Sequence, residues 1–329
     1  MSNRQHEAGL VESEYRAPWW LRSAHLQTIW GPLLRRGPRV ALRRERLELP
    51  DGDFIDLDWT TGTGGPLVLI LHGLEGSSTS HYARGLLAAL HARGFRAVLM
   101  HFRGCSGEPN RLARSYHSGD SAELDCVWGK LREREPRAPM AAVGYSMGGN
   151  LLLKWLGEQG ERAPIRAAVA VCVPFDLADA ARRLERGASR IYQARLVGEL
   201  RRKLERKFPA PHRPFDLAAV NRCRTFFEFD DLVTAPLHGF AGVDDYYARS
   251  SAGQFLHRIR APTLIVHARD DPFMTPEVIP APGALSPSIR LELSAHGGHV
   301  GFVHGRWPWR ARYWLESRIP EFLKAHLTG

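Results

Sequence analysis

An α/β fold, with a mostly parallel central sheet flanked by helices and interrupted by an inserted helical cap, is what this sequence predicts. Three observations carry the prediction. Short apolar runs at 67–71, 97–101, 141–145 and 167–173 recur at spacings that leave room for helices. Between them, 82–93 and 121–134 place apolar residues at helical intervals. After Pro174-Phe175-Asp176 the alternation gives way to a charged, Arg-rich, largely helical stretch, and it resumes at 262–267 and 289–293. Strand alternating with helix implies parallel strands covered on both faces.

Taken in order, residues 1–16 are expected to be flexible or loosely attached. Residues 17–36 carry Pro18-Trp19-Trp20-Leu21 and His25-Leu26-Gln27-Thr28-Ile29-Trp30, aromatics that imply a segment packed on the body or lining the entrance to a pocket. Residues 39–60 alternate and break at Pro50-Asp51-Gly52-Asp53, the pattern of a β-hairpin turning at Asp51-Gly52. The sheet domain should comprise 17–176 and 256–329, with the helical cap over 177–255. Within the cap Leu196, Leu200 and Leu204 recur every four residues, as one face of an amphipathic helix does. A final helix fits 311–326, and no internal repeat interrupts the pattern.

Composition narrows the function classes. The 329 residues are 44% hydrophobic and 24% charged, the balance of an ordinary soluble globular protein with room for one large domain and an insertion. No window approaches 18 consecutive apolar residues, so no transmembrane helix is expected. The polar start Met1-Ser2-Asn3-Arg4-Gln5-His6-Glu7 lacks the apolar core of a secretory signal, and a cytoplasmic protein is expected. Cys105, Cys126, Cys172 and Cys223 form no Cys-x-x-Cys pair; they are expected to be free thiols, with no metal site. The net charge of +10 comes mainly from Arg interleaved with Glu and Asp, without a nucleic-acid-binding signature, so no nucleic-acid partner is expected. Weak peripheral attraction to anionic lipid headgroups is compatible with that charge.

The chemistry centres on Ser146. The run 140–143 enters Gly144-Tyr145-Ser146-Met147-Gly148, and Leu151-Leu152-Leu153 continues beyond it. A Gly-x-Ser-x-Gly turn between a strand and a helix presents its serine as a nucleophile, and its glycines let strand and helix nearly touch. A serine hydroxyl needs a base to take its proton, and the base needs an orienting carboxylate. In chain order the acid should follow a late strand and the histidine the next one. Strand 263–267 leads to Asp270-Asp271-Pro272-Phe273, and 289–293 leads to His296-Gly297-Gly298-His299. Asp271 is favoured over Asp270 for its distance beyond Ala268. His299 is favoured over His296 because Gly297-Gly298 allow the chain to bring its ring over Ser146. The developing oxyanion needs backbone donors: the Met147 N–H, and the Leu74 N–H in the loop His72-Gly73-Leu74-Glu75-Gly76. Phe226, Phe227, Phe229 and Tyr246 are candidate walls of a substrate pocket in the cap, packing within the cap's own core being the competing reading. The stretch Phe102-Arg103-Gly104-Cys105-Ser106-Gly107 follows a strand end where sites lie in such sheets. Tyr116-His117-Ser118-Gly119-Asp120 could position that loop or cap the next helix.

With these residues in view, the chain resembles the YheT-like group of α/β-hydrolases, serine hydrolases also grouped as AB-hydrolase type 4. The resemblance runs from about residue 17 to 303 and is carried by His25-Leu26-Gln27-Thr28, the loop 72–76, Arg103-Gly104-Cys105-Ser106-Gly107, Gly144-Tyr145-Ser146-Met147-Gly148-Gly149-Asn150, Asp270-Asp271-Pro272-Phe273 and Gly297-Gly298-His299-Val300-Gly301-Phe302. It implies an α/β-hydrolase fold and a carboxylic ester hydrolase without a cofactor, its triad being Ser146, Asp271 and His299. The substrates implied are short- to medium-chain acyl esters, acylglycerols or other small lipid esters. An acyltransferase on the same scaffold and a non-catalytic binding protein are the competing readings. His101 departs from the group, which more often has Asn there, and leaves open the hydrogen bond that position makes.

Overall fold

The computed structural model describes residues 9–62, 64–208 and 214–328. Its strands are Gly9–Glu12 (β1), Leu42–Glu48 (β2), Phe54–Thr60 (β3), Leu67–Leu71 (β4), Arg96–Met100 (β5), Met140–Tyr145 (β6), Ala167–Val171 (β7), Thr263–Ala268 (β8) and Ile289–Ser294 (β9). They form a 9-stranded sheet in the order β1-β9-β8-β7-β6-β4-β5-β3-β2. The hairpin β2–β3 and the pair β3–β5 are antiparallel, and the other pairs are parallel.

Successive residues of the central strands serve opposite faces. Leu67, Leu69, Leu71, Val98, Met100 and Ala142 join one apolar cluster with Trp128 and Trp155. Their neighbours Val68, Ile70, Ala97, Leu99, Ala141 and Val143 join the other with Leu86, Leu87 and Leu323. The helices Ala24–Leu34 (α1), His81–His91 (α2), Ser121–Arg134 (α3) and Met147–Gln159 (α4) precede β7. Trp128 and Trp155 come from α3 and α4; Leu86 and Leu87 come from α2, and Leu323 from the C-terminal helix Leu315–Leu327. Two-sided cover of this kind is why β4, β6 and β7 read as continuous apolar runs.

Residues 9–16 correct the expectation of a loose N-terminus. Strand β1 pairs with the sheet edge, Gly9 opposite Arg290 and Glu12 opposite Leu293. Tyr15 is buried, its hydroxyl donates to the Val303 carbonyl at 2.6 Å, and its ring meets Phe302 and Trp314. The open edge of β9 supplies partners for a segment too short to announce itself by pattern. Residues 1–8 lie outside the described residues. The last helix also begins later than its periodicity suggests, because Arg312–Tyr313 pairs antiparallel with Val303–His304 before it.

Between β7 and β8 the chain makes a helical excursion that includes Leu177–Leu184 (α5) and Arg190–Lys207 (α6). Leu204 is buried, and Leu196 and Leu200 are partly so, consistent with one apolar face on α6. No described helix is long and apolar enough to cross a membrane. All four cysteines are free thiols.

Candidate active site

The turn between β6 and α4 is as tight as its glycines suggest. A Cβ on Gly144 would run into the Gly148 carbonyl, and one on Gly148 would lie 2.5 Å from the His72 carbonyl oxygen. Ser146 itself sits at φ +52° and ψ −120°, a strained backbone for a residue with a side chain. The turn holds its hydroxyl beside the loop after β9.

There the structure joins three side chains that the sequence separates. His299 Nε2 lies 2.9 Å from Ser146 Oγ, and His299 Nδ1 lies 2.8 Å from Asp271 Oδ2. The carboxylate accepts from Nδ1–H, which leaves Nε2 as the acceptor facing the serine. Asp271 also accepts the Phe273 N–H at 2.9 Å. Burial works to raise the Asp271 carboxyl, but the His299 ring and its hydrogen bond outweigh it and hold the group below its ordinary value. The competing pair is also joined, but to each other: Asp270 accepts from the Gly298 N–H at 2.9 Å and lies 3.2 Å from His296 Nδ1.

Several further groups set this geometry; Thr28, Asn150 and Phe273 stand in the motifs that carry the family resemblance, but nothing in the sequence assigned them these contacts. The Phe273 ring lies flat against His299, with centroids 3.9 Å apart and planes 3° apart. The Thr28 hydroxyl accepts the His299 N–H at 2.9 Å, so α1 buttresses the histidine loop. The Cys172 sulfur accepts the Val300 N–H at 3.2 Å. Asn150 donates to the Ser118 and Ser250 carbonyls and accepts the Ala252 N–H, tying α4 to the far end of the helical excursion. Cys172, Asp271 and His299 bring metal-ligand-type atoms within 4.8 Å of one another. Burial pushes the Cys172 thiol well up, however, and the other two are committed to the serine, so the trio fits a hydrogen-bond chain better than an ion cradle.

The loop after β4 lies directly against the serine: a Cβ on Gly73 would sit 3.4 Å from Ser146 Cβ. The neutral His72 ring fixes this loop. Its Nε2 accepts the Phe102 N–H at 3.1 Å, so Nδ1–H donates to the Gly73 carbonyl at 2.6 Å, and burial depresses its pKa to about 3. The Leu74 N–H has no protein acceptor among the described residues. Met147 opens α4, where helical N–H groups lack intrahelical partners.

A cavity of about 140 Å³ opens over these groups and takes in Leu74, Ser146, Met147 and His299. Phe226, Phe229 and Tyr246 line it, together with leucines of α5 and α6. Phe227 corrects the expectation for that residue. It packs behind the wall, edge-on to Tyr247 at 5.1 Å with Arg182 over its ring at 5.3 Å. One polar wall is Asp230, pushed up to about 6 by burial despite hydrogen bonds from Thr234 and Tyr247.

Outside the cavity, Arg103 is buried and paired with Asp53 and Glu123. Asp120 precedes α3, but its carboxylate turns to Arg114 and makes no cap hydrogen bond. His101 keeps a hydrogen-bonded role, Nε2 lying 2.7 Å from Asp58 Oδ2.

Strand order, serine turn and covering helices together define an α/β hydrolase, and the chain belongs to that family: residues 66–305 match the family model for the alpha/beta hydrolase fold. It is a hydrolase of the YheT-like group. It is 46% identical over 313 residues to the protein named "Putative esterase YheT" of Escherichia coli (strain K12), across 93% of this chain and 92% of that one. It is 30% identical over 332 residues to Phospholipase ABHD3 of Mus musculus, across 98% of this chain and 80% of that one. In three dimensions the esterase Pf2001 of Pyrococcus furiosus shares the fold, with a TM-score of 0.59 at 18% identity over 88% of this chain and 92% of that one.

Proposed function

We propose that the protein is a serine-dependent carboxylic ester hydrolase acting on short- to medium-chain acyl esters or acylglycerols. The observation that carries this reading is the continuous hydrogen-bonded path from Asp271 through His299 to Ser146, ending at an apolar cavity. In this reading Ser146 Oγ attacks the ester carbonyl while His299 Nε2 takes its proton. The Met147 and Leu74 N–H groups hold the oxyanion, and the imidazolium, stabilised by Asp271, returns the proton to the departing alcohol. Water then enters, gives a proton to His299 and attacks the acyl-serine, releasing the acid and restoring Ser146. The helical segment 177–255 serves as the cap, with Phe226, Phe229 and Tyr246 beside the acyl chain. Relatives named as an esterase and a phospholipase support an ester carbonyl as the reacting group.

The test is hydrolysis of p-nitrophenyl butyrate by wild type and Ser146→Ala. Loss of kcat by about 10³-fold or more is expected, with the fold intact by circular dichroism. Equal turnover by the two proteins rejects the reading.

A further inference from the structure

We infer that the tryptophan- and leucine-bearing face formed by α1 and the loop 305–310 docks this protein onto an anionic lipid surface beside its active site. The face is contiguous. Trp309 stacks on Trp307 at 5.5 Å, Trp307 meets Trp19 at 6.0 Å, and the next residue, Trp20, meets Trp30 of α1 at 4.8 Å. Along α1 the apolar side that Trp30 shares points outward: Leu26 and Leu33, seven residues apart, are both exposed, Leu33 at 68%. Trp309 is 76% exposed. Ile191, exposed at the start of α6, extends the apolar surface beyond Leu26, since its neighbour Tyr192 bonds His25 at 3.0 Å. Single exposed hydrophobes need no explanation, but a connected patch rich in tryptophan does.

Charge selects the occupant. From Arg16 to Arg44 the chain has seven arginines and no Asp or Glu, with Arg16, Arg35, Arg43 and Arg44 paired to acids from outside that stretch, and from Ala295 to Leu315 it has three arginines and again no acid. Arg22, Arg36, Arg306 and Arg310 of these segments are exposed. Tryptophan rings suit the boundary between headgroup and acyl chain, and arginines around them attract anionic headgroups. A second copy of the chain would bring arginines against arginines. The face also adjoins the site: α1 holds His299 through Thr28, and Tyr192 meets Phe273, the ring stacked on His299. A docked molecule therefore sits with its histidine loop near the source of lipid substrate.

The test is co-sedimentation with vesicles of phosphatidylcholine alone and of about three parts phosphatidylcholine to one part phosphatidylglycerol. Wild type and Ser146→Ala should both sediment with the anionic vesicles, and neither appreciably with the neutral ones, so the outcome is separate from whether Ser146 is catalytic. The variant Trp19→Ala/Trp309→Ala, and independently Leu33→Ser, should keep wild-type turnover of a soluble ester; the double variant should partition at least about tenfold more weakly. Wild type left in the supernatant, or variants that bind as well as wild type, overturns the inference. So does a wild-type dimer in solution that the same substitutions split, because the face is then covered by a second copy.

Discussion

Ser146 takes its positive φ in a turn where strand and helix pack backbone against backbone. Gly148 sets the limit: a Cβ there would meet two main-chain oxygens, His72 O at 2.5 Å and Leu71 O at 2.6 Å, and neither can swing aside as a side chain would. Gly148→Ala should therefore destabilise the protein by about 1–3 kcal/mol and cut ester turnover more than stability alone accounts for, since the His72 carbonyl opens the loop proposed to supply an oxyanion donor. Urea unfolding beside steady-state kinetics checks this; an Ala variant with wild-type midpoint and kcat removes the steric account. That Ser146, Asp271 and His299 come together was legible from order along the chain, because each follows the end of a strand. Choosing between neighbours rested on spacing, and the structure pairs Asp270 with His296, so the two alternatives occupy one another. The reason assigned to Gly297 and Gly298 was incomplete: a Cβ on Gly298 would strike the Ala24 carbonyl, so close packing on α1 needs that glycine. The Phe273 stack and the turned-away Phe227 depend on rotations of the chain that spacing does not encode.

The hairpin β2–β3 was readable from its alternation and its Asp-Gly turn, but not the density of buried charge on β3. Asp56 accepts from Arg46 and Ser106; Asp58 accepts from Arg44 and Ser78 and meets His101; Asp53, just before the strand, accepts from Arg103 and Asn110. Burial works to raise all three carboxyls, and these hydrogen bonds outweigh it, holding each below its ordinary value, Asp53 at about 2. A carboxyl whose folded pKa is depressed adds stability that is complete above its unfolded pKa of about 4 and is lost as pH falls through the folded value. The unfolding midpoint in urea should thus drop as pH falls from about 4 toward 2. Asp53→Asn should lose on the order of 2 kcal/mol at neutral pH and show a shallower acid slope, because it has no proton to take up. An equally steep slope in the variant would locate the acid-sensitive groups elsewhere. Strand β1 has no strand pattern of its own: its four residues extend along the edge that β9 offers.

The helical excursion after β7 shows in the sequence as the point where the strand–helix alternation stops, but its contact with the loop after β4 does not, because that contact spans 128 residues between Glu75 and Lys203. Lys203 of α6 donates to Glu75 Oε1 at 2.9 Å; Tyr116 donates to the same oxygen at 2.6 Å and accepts the Glu75 N–H at 3.1 Å. Glu75 follows Leu74 directly and takes φ +50°, while the Leu74 side chain packs against both the sheet's apolar cluster and that of the helical segment. The ion pair holds Glu75 in place directly beside Leu74, whose N–H is the second oxyanion donor in the proposed reaction. Lys203→Met keeps bulk but leaves the Glu75 carboxylate without its counter-ion, the Tyr116 hydroxyl remaining as a donor, so the loop should shift to hydrate the charge. Because a displaced donor weakens transition-state binding more than substrate binding, kcat for p-nitrophenyl butyrate should fall about tenfold or more, with KM within about twofold. The double variant Glu75→Gln/Lys203→Met should regain part of that loss, since it removes the stranded charge along with its partner. If both variants keep wild-type kcat, Leu74 is held by packing alone, and the helical segment reaches the reaction only through the walls of its cavity.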